Sequence, residues 1–380
     1  MLMIPGPSEP EPAALVALSL PIMPHYGNDW GSYYMETISK LSKIFKTKKS
    51  DGFILPTPGQ VAVEMAAENF VKKGDVAYVC ASGFFSEMIE DIVQSHGAKP
   101  VRIRNLGYGK AITLEEVKQE LEQKDVSGRV VFLVHNETST GVTNPAEEIM
   151  RYCKQQKGMI TVLDCISSFG GIDIRVDDWK VDFCVGYASK ALGGVFGAVP
   201  VAVSQDAWKV AERNKDGIVG RFLNMNTWAK YAKKWARIGH PHPSTMPTSI
   251  IVALNKAVDI ALSEGLERRY ERHKKVADLA RKGLKSLDLE LFPDERYASN
   301  TVSVAWIDPV RDRILRSELE NKYDIMIGGG IDELEGKIIR IGHMGTSATV
   351  AKVSMTIEAM RAILKDVAEK RKKRGKKIKD

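Results

Sequence analysis

Asp164 ends the apolar run MITVLD (159–164), and Lys190 follows the apolar run DFCVGY (182–187) by three residues. An acid at the end of an apolar segment loses solvation unless a cation or strong donor meets it. A protonated ring nitrogen is one such partner, and the backbone N–H groups of the next segment, CISSFGG, are another. Lys190 stands in Ala188-Ser189-Lys190, ahead of the glycine-rich ALGGVFG. An amine in a partly apolar cleft gives up its proton more readily and becomes a nucleophile toward an aldehyde. A lysine in a surface loop is the commoner use of such a segment. Two further clusters carry polar groups. RVVFLVH (129–135) runs into Asn136-Glu137-Thr138-Ser139-Thr140-Gly141-Val142, whose hydroxyls and amides could bond a substrate or simply build a polar turn. Thr57-Pro58-Gly59-Gln60 precedes an apolar helix, and the free N–H groups of a helix start suit a phosphate.

These residues need a frame that brings them together. Short apolar runs at 76–80, 99–103, 129–135, 159–164, 182–187 and 198–203 read as strands rich in Val and Ile. Helical patterns lie between several of them. FFSEMIEDIVQSHG (84–97) closes on Gly97, TLEEVKQELEQK (113–124) opens with the capping pair Thr113 and Glu116, and PAEEIMRYCKQQKG (145–158) runs from proline to glycine. Such alternation implies βαβ units and a mainly parallel sheet covered on both faces, with ligands bound outside the carboxyl ends of the strands. Beyond residue 247 the pattern becomes a smaller α+β unit. It has helices at 248–264, 266–287, 309–322 and 349–369, and strands at 301–307 and 337–342.

The composition narrows the class. The net charge of +7 is matched by residues 370–380 (KRKKRGKKIKD), with eight Lys/Arg and one Asp, so the remainder is near neutral. A basic tail on a neutral body reads as a solvated, disordered end and argues against nucleic-acid binding. Cys80, Cys153, Cys165 and Cys184 show no metal-ligand spacing and read as small buried hydrophobes; no metal site is expected. No apolar run approaches a membrane span, and MLMIPGPSEPEP lacks the pattern of a secretory signal, so the expected address is the cytoplasm.

In this order along the chain, the motifs resemble those of the class V (fold-type I) pyridoxal-phosphate aminotransferases, in the alanine–glyoxylate and serine–pyruvate branch. The resemblance spans about residues 4–369. It implies an α/β fold with a large cofactor-binding domain at 16–262, and a smaller C-terminal α+β domain at 263–369 joined by the N-terminal segment 1–15. It also implies roles. Lys190 is the Schiff-base lysine, and Asp164 pairs with the pyridine nitrogen. Phe85 stacks on the ring, and Thr138 in HNETSTGV touches the phenolic oxygen. Pro58, Gly59, Gln60 and Ser189 lie around the phosphate. Arg340 in IIRIGHMG grips the substrate α-carboxylate, and Gly6 in PGPS borders the substrate. His242 and Thr245 in PHPSTMPTS reach the phosphate of a second copy, which makes a homodimer the smallest assembly. Ile4, Gln60, Phe85, Ser189 and His242 each replace a residue common elsewhere in the family, and so bear on which amino acid is used.

The implied reaction moves an amino group from a small amino acid, serine or alanine, to a 2-oxo acid such as pyruvate or glyoxylate by a ping-pong scheme. Related chemistries on the same cofactor are aspartate or phosphonate transamination. Cysteine desulfuration would require a mobile cysteine in the C-terminal half, and all four cysteines lie at or before residue 184. Gly328-Gly329-Gly330 lacks the strand–GxGxxG–helix setting of a dinucleotide site.

Overall fold

The computed structural model describes residues 1–104, 107–122 and 130–377. Seven strands form the main sheet: β1 (Asp51–Leu55), β2 (Val76–Ala81), β3 (Lys99–Arg104), β4 (Val130–Val134), β5 (Ile160–Asp164), β6 (Phe183–Val185) and β7 (Val199–Val203). Their spatial order is β1-β7-β6-β5-β4-β2-β3. The neighbours from β6 to β3 are parallel. Every residue of β4, β5 and β7 is buried, which demands cover on both faces and explains their largely apolar make-up.

Helices supply that cover where the sequence places them, at Phe84–Ser95, Leu114–Glu122 and Ala146–Gln155. The capping pair is reciprocal: Glu116 N–H donates to Thr113 Oγ1 at 3.2 Å, and Thr113 N–H donates to Glu116 Oε2 at 2.8 Å. The expected end of that helix (123–124), the expected strand residue 129 and tail residues 378–380 lie outside the described residues.

β7 departs from the parallel pattern, since it pairs antiparallel with both β6 and β1. A parallel return needs a crossover, usually a helix, and the 186–198 connection contains none, so the chain folds straight back beside β6. That return leaves Lys190 in the turn just beyond β6. Asp164 ends the adjacent β5, and His135 follows β4.

The second sheet has the order Leu2–Met3, Met326–Gly329, Ile338–Gly342, Val302–Trp306. Its central strand carries Arg340, paired with Val304 on one side and Gly328 on the other. The helices Leu266–Lys285, Pro309–Tyr323 and Val350–Lys377 accompany it. The last of these runs beyond Glu369 into the basic segment, because nothing there stops a helix. Gly375 alone costs only about 1 kcal/mol relative to alanine. Two main apolar cores result. The larger draws on residues from Ala14 to Ala261, and the other on Met3 and residues from Val276 to Ile363.

Candidate active site

The N-terminal segment reaches from the smaller sheet to the Lys190 turn. Ser8 N–H donates to the Ser189 carbonyl at 3.0 Å, and Ser8 Oγ donates to the Lys190 carbonyl at 2.7 Å. Lys190 Nζ in turn donates to the Pro5 carbonyl at 2.8 Å. Gly6 has a φ of +130°, and a Cβ there would lie 2.2 Å from Lys190 Nζ, so the close approach itself requires glycine. Burial pushes the Lys190 amine down to about 8. The charge of Arg340 acts in the same direction, and Asp164 opposes it.

Asp164 is nearly buried, and one carboxylate oxygen accepts the Ile166 N–H at 2.7 Å. Backbone capping therefore meets half of the group. Its other oxygen has no partner among the described residues, and burial raises the carboxyl to about 7, with Glu137 adding to the rise. Glu137 is itself fully buried. It accepts from Ser139 N–H, Ser139 Oγ and Ser86 N–H at 3.1, 2.6 and 3.0 Å, tying the 137–140 turn to the start of the Phe84–Ser95 helix. Phe85 lies in the first turn of that helix with a half-buried ring.

Arg340 donates from Nε to the Gly329 carbonyl at 2.7 Å and from Nη1 to the Thr138 carbonyl at 3.2 Å. Among the described residues it meets no carboxylate within ion-pair distance. Burial lowers it to about 10, partly offset by Glu137. Thr138 is buried, so its backbone links the β4 edge to the Arg340 strand.

A third group of residues offers a phosphate cradle. Gly59 caps the Gln60–Phe70 helix, and a Cβ on it would lie 2.8 Å from Ile166 Cδ1, beside the segment that follows Asp164. Thr57 Oγ1 and Ser189 Oγ are buried with no hydrogen-bond partner. An orphaned hydroxyl two residues before a helix N-cap, and another in the Lys190 turn, fit an anion with several acceptor oxygens. The role of Thr57 is not legible in its motif, because a threonine before a proline gives no sequence signal of an unsatisfied hydroxyl.

Two expected ligands are used otherwise. Gln60 is exposed and its amide donates to Glu64 at 3.3 Å, one helical turn away, which leaves its backbone rather than its side chain for an anion. His242 is fully buried. Its Nε2 accepts from Trp30 Nε1 at 2.7 Å, and its Nδ1 meets the Ser244 carbonyl at 2.8 Å, so both ring nitrogens are committed within the chain. Thr245 is exposed, as is Pro58.

Residues 21–361 match the family described as Aminotransferase class-V. The chain belongs to the class-V aminotransferases. It is 35% identical over 376 residues to an uncharacterized aminotransferase of Methanocaldococcus jannaschii, covering 99% of this chain and 95% of that protein. It is 28% identical to the serine–glyoxylate aminotransferase of Hyphomicrobium methylovorum, covering 90% of this chain and 84% of the relative. The crystal structure of an alanine–glyoxylate aminotransferase from Nostoc sp. superposes with a TM-score of 0.89 at 29% identity, over 96% of this chain and 94% of that one.

In this aminotransferase the candidate groups gather at the carboxyl ends of β4, β5 and β6 and the facing edge of the smaller sheet. A sizeable cleft lies elsewhere. It has a volume of about 1210 Å³, is lined by residues including Asp51, Ile160 and Gln205, and contains none of the groups above. Its walls include the amino ends of β1 and β5, away from the carboxyl ends that carry the groups above. Among the described residues, no helix is long and apolar enough to cross a membrane, and no three His, Cys, Asp or Glu residues are grouped to hold a metal.

Proposed function

We propose that this class-V aminotransferase uses pyridoxal phosphate held by Lys190 to pass an amino group from serine or alanine to glyoxylate or pyruvate. The observation that carries the reading is a pairing of unmet needs. A part-buried amine held by the Pro5 carbonyl, and lowered to about 8, faces a region in which a buried guanidinium has no acid.

The residues fit the cofactor. Thr57, Ser189 and the helix start at Gly59 present unmet donors for a phosphate, and the second oxygen of Asp164 stands ready for a cationic ring nitrogen. When bound, pyridoxal phosphate supplies an aldehyde for the amine and a ring that takes up electron density from the donor's Cα. Asp164, once opposite a cationic nitrogen, returns to its charged form and holds the proton there. Phe85 covers one face of the site, and the 137–140 turn with Thr138 borders it. Arg340 keeps donors on Nη1 and Nη2 for an α-carboxylate, which orients the donor. Lys190 Nζ, with its amine lowered to about 8, would serve as the neutral base that takes the donor's Cα proton and gives it back. Lys190 Nζ lies 2.8 Å from the Pro5 carbonyl, and Gly6 packs against the same amine; this crowding supports a small donor side chain.

Relatives named for glyoxylate as acceptor support that choice of 2-oxo acid. The two apolar cores support a division near residue 263, with Met3 of the N-terminal segment in the smaller core and Ala14 already in the larger. Exposed Thr245, and the exposed apolar side chains Leu15, Val16, Leu20 and Ile22, support a homodimer that buries them against a second copy.

The test is the visible spectrum of the protein incubated with pyridoxal phosphate, beside Lys190→Ala, while single amino acids are added. A yellow band lost in Lys190→Ala and bleached by serine or alanine is the expected result. Bleaching by aspartate or an aminophosphonate alone would reassign the donor. No band in excess cofactor would refute the proposal.

A further inference from the structure

The helix Leu266–Lys285 opens with LERRYERHKK, a sequence that reads as a solvated charged face. Three of those side chains are instead turned inward. Arg269 and His273 are fully buried, and Arg272 is half-buried.

Arg269 spends its guanidinium on four acceptors. Nε donates to the Gly170 carbonyl at 2.8 Å and Nη1 to Glu264 Oε2 at 2.7 Å. Nη2 donates to the carbonyls of Ala191 and Leu192 at 3.0 and 2.9 Å. Those two carbonyls belong to the residues immediately after Lys190, in a turn with no sheet partners of its own. Arg272 shares Glu264 and sends Nη1 to the carbonyls of Gly345 and Ala348 at 3.1 and 2.8 Å. His273 Nε2 accepts the Gly345 N–H at 3.2 Å, while its Nδ1 meets the Arg269 carbonyl at 2.8 Å. Gly345 begins the turn that follows the Arg340 strand, and a Cβ on it would lie 2.9 Å from Gly193 Cα, so the two clasped turns touch. Glu11 also faces the pair of arginines, with its backbone N–H bonded to the Gly193 carbonyl at 2.7 Å.

We propose that this helix is a latch that sets the spacing of the active site, with Arg269 a positioning residue for Lys190 and Arg272 one for Arg340. Consecutive carbonyls in a glycine-rich turn need a rigid, planar, multi-donor group to fix them, and a guanidinium supplies it where an ammonium does not. Glu264 joins the two clasps, so the amine-bearing turn and the segment behind the guanidinium are held from one rigid element. The inference rests on the reading of Lys190 as the cofactor lysine.

The experiment compares the full-length, cofactor-loaded wild type with Arg269→Lys and Arg272→Lys. Its readouts are the pH midpoint of the lysine-bound cofactor's absorption band, and kcat and KM for the donor. Arg269→Lys is expected to move the band's midpoint and lower kcat about tenfold or more, with donor KM little changed. Arg272→Lys is expected to raise donor KM about tenfold and leave the band where it was. Arg269→Lys with wild-type midpoint and kcat would overturn the latch, as would equal losses of every parameter in both variants. A wild type that shows no band would instead overturn the reading of Lys190, and the latch with it. Should Arg269→Lys not fold, Glu264→Gln takes its place. It is expected to move both the midpoint and KM by smaller amounts, and leaving both unmoved would overturn the latch.

Discussion

Arg269 and Arg340 are both buried guanidinium groups, one behind the Lys190 turn and one in front of it, and their surroundings differ in one respect. Around Arg269 every direction is filled, with three backbone carbonyls and the carboxylate of Glu264. Around Arg340 two carbonyls are met and no acid is, among the described residues. A buried charge whose needs are filled belongs to the architecture. A buried charge whose needs are left open is poised for a ligand that brings the missing acid. Lys190 and Asp164 fall with Arg340: each has a shifted pKa, and none of the three meets an opposite charge within ion-pair distance among the described residues.

The comparison is broken or sharpened by substitution. Arg340→Gln should cost the largest factor, a roughly 1000-fold loss in donor kcat/KM as two charge-assisted bonds to the α-carboxylate disappear. The cofactor-free variant should melt no lower than wild type, because an unpaired buried charge has been removed. Arg269→Met should do the reverse in thermal unfolding. It leaves carbonyls unmet and Glu264 with only Arg272, a cost of about 3 kcal/mol and a fall in Tm of about 4 °C.

Asp164→Asn should weaken cofactor binding while raising the Tm of the cofactor-free protein by about 2 °C at pH 8. The sign follows from linkage. A carboxyl raised to about 7 in the folded state favours folding below its ordinary value of 3.8, and that contribution is lost as pH rises through about 7. At pH 8 the folded protein therefore carries the strained carboxylate, and asparagine relieves it. The smallest effect is on rate. A Lys190 amine lowered to about 8 should make cofactor capture rise with pH through about 8 rather than through the ordinary lysine value of 10.5. Stopped-flow absorbance across pH 6–10 would show that midpoint; a rate still climbing steeply at pH 10 would contradict it.

The strands and helices that position the site were legible because their burial is written in composition. β4 and β5 are largely apolar runs, and their ends name Asp164 and the 136–142 turn. β1 was missed, since DGFIL has an aspartate and a glycine in five residues and lies at the sheet edge, where pairing rather than pattern makes the strand. The antiparallel return of β7 was missed because a strand's direction depends on its connection, not on its own residues. The His242 ring could not be read from PHPSTMPTS, because its partner Trp30 lies 212 residues away. Arg269 is hidden in the sequence for a similar reason: in LERRYERHKK, the five Lys/Arg residues among Leu266–Lys275 look alike until a fold buries one of them.

The most direct test of the central claim is borohydride reduction of the protein loaded with pyridoxal phosphate, followed by peptide mass mapping. The account predicts a single phosphopyridoxyl adduct, on the peptide that contains Lys190. An adduct confined to any other lysine, or none at all in a folded protein with excess cofactor, would contradict it.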